Sequence, residues 1–185
     1  MRKFDYVRLK KSSWDSEVLS LVAQIREHKG KQELYLRLKP VELERLIEVA
    51  KIQSTDSSNR IEGIGTSNAR LRDLVKEKTT PRSRDEQEIA GYRDVLKTIH
   101  ESYEYIPLKG DVILQLHRDL LAYTGKTFGG KYKNTQNYIN QTHADGSSFT
   151  RFTPLEPFET PMAVDAICAG YRQALDNQVV DPLIL

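Results

Sequence analysis

Apolar residues recur at helical spacing through most of the chain. Trp14, Val18, Leu21, Val22 and Ile25 share one face, with Ser13 placed to cap the start and Gly30 to stop the helix. A short segment, 33–38, leads to Pro40, which suits a first helical position. Val41, Leu43, Leu46, Ile47, Ala50 and Ile52 then predict a second helix to about Asn59. Gly63 and Gly65 interrupt the pattern, Thr66 is placed to cap a third helix through Val75, and Thr80-Pro81 interrupts it again. Ser83 and Glu86 have the spacing of a capping box, in which each side chain satisfies the other residue's free backbone N–H. Ile89, Tyr92, Val95, Leu96 and Ile99 extend that helix. After Pro107, Val112, Ile113, Leu116, Leu120 and Leu121 mark a fifth helix, and after Pro161, Val164, Ile167, Cys168, Tyr171 and Leu175 mark a sixth.

Between these last two the helical period fails. Tyr132, Tyr138, Ile139, Phe149 and Phe152 are scattered among Gly, Asn and Thr, and Asp145-Gly146 predicts a β-hairpin. The expected class is therefore all-α, mainly helical, with one small β-hairpin. Asp181-Pro182 announces a further helix, yet only Leu183, Ile184 and Leu185 follow. The expectation is that a longer protein has been cut at this point, because one isolated turn does not offset its nucleation cost.

The chain has 185 residues, enough for one domain, or one with an appendage, at roughly 150 residues per domain. With 28 Lys+Arg against 26 Asp+Glu the net charge is +2, which does not favour a strongly nucleic-acid-seeking or membrane-seeking surface. Apolar residues at 38% and charged residues at 29% fit a soluble globular protein. Cys168 is the only cysteine, which excludes an intramolecular disulfide and any zinc site needing two thiolates. Its expected role is that of a small buried hydrophobe. The N-terminus turns polar at once and no stretch approaches the roughly 18 to 20 apolar residues of a membrane helix, so no signal peptide or anchor is expected and the expected compartment is the cytoplasm.

Several short motifs do not survive their context. Gly125-Lys126-Thr127 would need a glycine at position 120 to open a phosphate loop, and that position holds Leu120. Gly63-Ile64-Gly65 lacks the third glycine of a dinucleotide fingerprint, since Asn68 stands there, and it follows a helix rather than a strand. His28, His100, His117 and His143 form no close-spaced metal set. The charged stretch 76–88 is mixed in sign and reads as a solvated face.

Two segments stand out. In Ser57-Ser58-Asn59-Arg60-Ile61-Glu62-Gly63, Ser58 and Glu62 are four apart on one helix face that Gly63 ends. A carboxylate at the negative end of a helix dipole asks for an arginine partner. The second segment, 129–140, is a glycine turn feeding an extended stretch, followed after the hairpin by Phe152-Thr153-Pro154. Its backbone groups suit pairing with another chain.

In this order, both segments resemble the Fic family of nucleotidyl-transferring enzymes, specifically members with an N-terminal inhibitory helix. Ser58 to Gly63 matches the pattern S/T-x-x-x-E-G/N. His117-Arg118-Asp119-Leu120-Leu121, Gly130-Lys131-Tyr132-Lys133 and Phe152-Thr153-Pro154 are similar to landmarks of the first half of the Fic core. The resemblance spans roughly residues 40 to 180 and rests on the order and spacing of motifs that are individually weak. The family's catalytic signature, H-x-F-x-D/E-G-N-G-R-x-x-R, does not occur in the chain, so no catalytic residue is assigned here. Lys133 stands where relatives commonly have arginine, and Asn140 where a glycine often closes the nucleotide-facing segment.

The resemblance implies a partial Fic fold. Residues 1–105 would form an N-terminal helical region whose helix at about 40–63 is inhibitory, and residues 106–185 the first part of the core, with a flap hairpin at about 130–154. It implies AMP transfer from ATP to a hydroxyl of a target protein, with the motif histidine as general base and magnesium held by the missing motif. Asn137, Tyr138, Ile139 and Asn140 would lie by the nucleotide, and the flap would register the target protein by strand addition. Glu62 would pair with the motif's final arginine and occupy the place of the ATP γ-phosphate, with Ser58 and Gly63 completing the inhibitory element. The chain alone would be inactive, and a homodimer is compatible with such enzymes. Phosphoryl or phosphocholine transfer are variants within the family. The alternative class is a helical regulatory, interaction or nucleic-acid-binding module in which the match at Ser58 to Gly63 is accidental.

Overall fold

The computed structural model describes residues 5–185. Among the described residues it is mainly helical, with six α-helices, three short 3-10 helices and one two-stranded antiparallel sheet. The expected class, all-α with one small hairpin, is therefore correct. The helices are α1 (Ser16–Leu38), α2 (Pro40–Ile61), α3 (Asn68–Val75), α4 (Arg84–Ser102), α5 (Gly110–Leu120) and α6 (Thr160–Asp176). Strands β1 (Ile139–Thr142) and β2 (Ser148–Phe152) form the hairpin between α5 and α6.

Three helix boundaries differ from those the sequence predicts. Asp15, not Ser13, caps α1, accepting from the Val18 N–H at 2.9 Å. Gly30 does not stop α1, which continues through 33–38 to Leu38. Gly30 lies on an open face with nothing within 4 Å of a β-carbon built on it, so it costs the helix only about 1 kcal/mol relative to alanine, and the Glu27–Lys31 pair spans it. The real stop is Pro40, which pushes Lys39 out of helical geometry to φ −142°. At α3 the cap is Ser67 rather than Thr66, because the Thr66 hydroxyl donates instead to Glu86 at 3.1 Å.

The end of α2 is closed by a Schellman motif. The Ile64 N–H reaches the Asn59 carbonyl at 2.9 Å and the Gly63 N–H reaches that of Arg60 at 3.0 Å, with Gly63 in the left-handed region at φ +74°. Ile64 then packs against the core of Leu71, Leu74 and Ile89, together with Ile52 and Val75. The cap is thus fastened to the centre where α2, α3 and α4 meet.

The second fixed point is the crossing of α4 and α5. A β-carbon built on Gly91 would lie 1.9 Å from the Leu120 carbonyl oxygen, so the two backbones meet at a distance only glycine permits. Replacing Gly91 with alanine is expected to destabilise the protein by about 1–3 kcal/mol or more through overpacking. Gly30→Ala is expected to stabilise it by about 0.5–1 kcal/mol, as no atom obstructs the new methyl group. Urea unfolding of the two variants beside the parent chain checks the opposite signs.

Candidate functional site

The last turn of α2 faces a cleft of about 680 Å³ whose other walls are the first half of α4 and the end of α5. Ser58, Glu62 and Gly63 all line it, as do Asp85, Glu88 and Tyr92 of α4. The local geometry explains each placement. Asn59 lies on the inward face of α2, and its Nδ2 donates to the Thr55 carbonyl at 2.8 Å, which satisfies the buried amide. The Ser58 hydroxyl accepts from the Tyr92 hydroxyl at 2.9 Å, tying α2 to α4 across the cleft. Glu62 is the C-cap residue, held by the Schellman motif, and its exposed carboxylate has no hydrogen-bond or ion-pair partner among the described residues. Nothing lies within 4 Å of a β-carbon on Gly63, so glycine is required there by backbone conformation and not by space.

The walls of the cleft are acidic. Glu62, Asp85 and Glu88 stand against Arg84 as the single lining cation. Two of these carboxylates are already engaged: Asp85 accepts from the Gly65 N–H at 3.2 Å, and Glu88 accepts from Lys126 at 2.7 Å and Arg84 at 3.2 Å. Lys126 chiefly, then Arg84, holds the Glu88 carboxyl below its ordinary pKa against the opposing effect of burial. Glu62 is the carboxylate left over. A cavity with this balance complements a guanidinium or ammonium and repels a bare triphosphate. The residues present do not fit a magnesium ion either. Among the described residues no group of three or more His, Cys, Asp and Glu side chains is arranged to hold one, and Asp85 and Glu88 each already give one oxygen to protein donors.

The hairpin is a separate feature. Asn137 and Tyr138 precede β1, Ile139 and Asn140 open it, and all four are exposed. The wall of the cleft contains none of them. The structure therefore brings Ser58, Glu62 and Gly63 together and leaves the four expected nucleotide-facing residues apart from that cavity. Ile139 pairs with Phe152 and Asn140 with Thr150, so a bulge falls between the two, and the Asn140 side-chain oxygen accepts from the Thr150 hydroxyl at 3.0 Å. Lys133 has a structural use at the base of the hairpin. Its ammonium donates to the Leu155 carbonyl and to Gln136, which in turn donates to the Pro154 carbonyl at 2.8 Å.

Several participants were hidden in the sequence. Tyr92 and Leu120 sit on apolar helical faces and read as packing residues, yet both line the cleft. The stretch 76–88 is not simply a solvated face. Glu86 is only 5% exposed and forms a two-point pair with Arg70, Nε to Oε1 at 2.9 Å and Nη2 to Oε2 at 2.5 Å. The capping box is therefore half made: Ser83 accepts from the Glu86 N–H at 3.2 Å, but the carboxylate turns to Arg70, Thr66 and the Arg82 N–H. The signal that was available is Arg70 itself, the cation α3 places opposite the start of α4.

That pair sets a pH dependence. The Arg70 guanidinium, helped by the Arg82 N–H and Thr66, holds the Glu86 carboxyl at about 2, down from an ordinary 4.5, against burial acting in the other direction. A depressed carboxyl contributes stability that is complete above its unfolded pKa and lost as pH falls through its folded one. The gap in unfolding free energy between the parent chain and Glu86→Gln is expected to be widest above pH 4.5 and to close as pH approaches about 2, as read from urea titrations across that interval.

No protein-family model matches the chain, and no curated protein is significantly similar to it.

Proposed function

We propose that this chain is part of a Fic-type nucleotidyltransferase and that Glu62 is its inhibitory carboxylate. One observation carries this: an unpartnered carboxylate, fixed by a Schellman cap and tied back through Ser58 to Tyr92, stands at an open cleft whose balance of charge calls for a cation. The order of the Ser58 to Gly63, 130–133 and 152–154 motifs supports the same reading.

In this reading the missing cation is the last arginine of the histidine-led motif. AMP transfer needs the target hydroxyl to attack the α-phosphorus in line, with its proton passing to the motif histidine and pyrophosphate leaving. Glu62 competes with the γ-phosphate for the arginine. While the carboxylate holds it, ATP binds without its productive alignment. A shielded carboxylate–arginine pair is worth a few kcal/mol, on the order of a hundredfold or more in productive binding. The exposed hairpin, a two-stranded sheet with no third strand among the described residues, suits strand addition by the target segment.

A second reading has its own support. The chain exposes 13642 Å², against about 9,100 Å² for a compact monomer of 21.3 kDa. Large apolar side chains are among the exposed ones, including Leu34, Leu38, Val41 and Leu46 on α1 and α2. That favours an interaction module, and salt-dependent binding to random DNA would mark its nucleic-acid variant.

In the full-length parent carrying the motif, Glu62→Gly is expected to raise auto-adenylylation by one to two orders of magnitude, on the order of the competition just described. Equal labelling of mutant and parent by radioactive ATP would refute it. The 185-residue chain, which carries no motif histidine, is expected to transfer no AMP. Magnesium-dependent labelling by a preparation whose intact mass matches this sequence would contradict that.

A further inference from the structure

Most of α1 and the first turns of α2 bury nothing within the chain. None of the 23 residues of α1 is buried, and from Ala23 to Glu42 every residue is exposed. A helix on its own is marginal in water, and helices in proteins are held chiefly by packing an apolar face. Such faces are present here. Leu34, Tyr35 and Leu38 share one side of α1, and Leu43, Leu46, Ile47 and Ala50 have the i, i+3, i+4, i+7 spacing of a stripe along α2. Leu38 and Leu46 are each 65% exposed. Only beyond the stripe, at Thr55 and Asn59, does α2 bury side chains.

The two exposed lengths are opposite in charge. Residues 26–39 carry five Lys and Arg against two Glu, whereas residues 40–48 carry three Glu against one Arg. Arg37, Lys39, Glu42 and Glu44 have no side-chain partner among the described residues, and no ion pair there joins α1 to α2. A second copy related by a two-fold axis brings the basic end of α1 onto the acidic start of its partner's α2, and the reverse, so both patches are matched at once. The area is sufficient. The chain exposes about 4,500 Å² more than a compact monomer of its mass, and obligate homodimers bury roughly 2,000–5,000 Å² in total, about half from each partner.

We propose that the exposed face of α1 and α2 is a homodimer interface. Leu34, Tyr35 and Leu38 of one copy pack on the apolar stripe of the other copy's α2, and Arg37 and Lys39 stand against the acidic start of that helix. The apolar side chains supply the affinity, and the charges at the rim fix which helix meets which. A second copy is the occupant because one face carries both members of the charge match, which is what a two-fold interface requires. The inference does not depend on the enzymatic reading.

The test is sedimentation equilibrium of the whole 185-residue chain across micromolar concentrations. A mass twice 21.3 kDa is expected. Leu38→Glu and Leu46→Glu are each expected to weaken the dimer by about a hundredfold or more, because symmetry applies each loss of an anchor twice. Tyr105→Glu, at an aromatic 84% exposed outside this face, is expected to leave the mass unchanged. Reversing one patch, by Arg37→Glu with Lys39→Glu or by Glu42→Lys with Glu44→Lys, is expected to weaken the dimer, and a chain carrying all four changes is expected to recover it. That recovery separates a lost contact from a lost fold. Three results would overturn the proposal: a monomer at every concentration, meaning that the face is bare or serves a different partner; a dimer indifferent to both leucine substitutions; or no recovery when both patches are reversed together.

Discussion

The contact between Gly91 and the Leu120 carbonyl fixes how closely α5 can approach α4, and the cleft exists in its present form because of it. Tyr92 is the next residue along α4, and Leu120 and Leu121 end α5, so one backbone crossing places two of the three walls. The third wall, α2, is set by different means, through the Ser58–Tyr92 hydrogen bond and the packing of Ile64 into the core. A side chain at position 91 would push α5 outward and widen the cleft before it disturbed α2.

Electrostatics then divides the surface of α4 into two unlike regions. Toward its N-terminus, Asp85 and Glu88 give the cleft an acidic lining. One to three turns later, Arg93 and Lys97 line a smaller concavity between α2 and α4 and pair with Asp94 and Glu77. α2 spans both, with Thr55 and Asn59 buried between them. The same helix face therefore carries an unpaired cation at Lys51 and an unpaired anion at Glu62, eleven positions apart in the sequence. Neither charge has a hydrogen-bond or ion-pair partner among the described residues, and each lies at a concavity.

Features encoded by near neighbours were legible in the sequence. Pro40 at the start of α2, Ser83 at the start of α4 and the hairpin at Asp145-Gly146 all depend on residues within a few positions of one another. The end of α2 was legible for the same reason, since a glycine three positions beyond Arg60 suffices to close it. Features decided by weak local preference were not. Gly30 looked like a stop, but its cost is small on an open face. Thr66 and Ser67 are equally good caps until Glu86, twenty residues on, claims the threonine. The cleft was least legible. Its walls come from segments about thirty residues apart, and Glu86, which looked like a surface capping residue, is buried because Arg70 meets it. Ser58 and Glu62 could be singled out by spacing, whereas Tyr92, Asp85 and Glu88 needed the packing of α2 on α4 to be known.

The Schellman closure of α2 ends in Ile64, and Ile64 is embedded beside Leu71, Leu74 and Ile89. Fraying, the ordinary way a terminal turn loosens, is therefore denied to the residue that precedes it by two. The Glu62 carboxylate cannot retreat by local unwinding without prising an aliphatic plug from the interior, so any event that clears it from the cleft must either outbid it at the rim or tilt the whole rod to which it is attached.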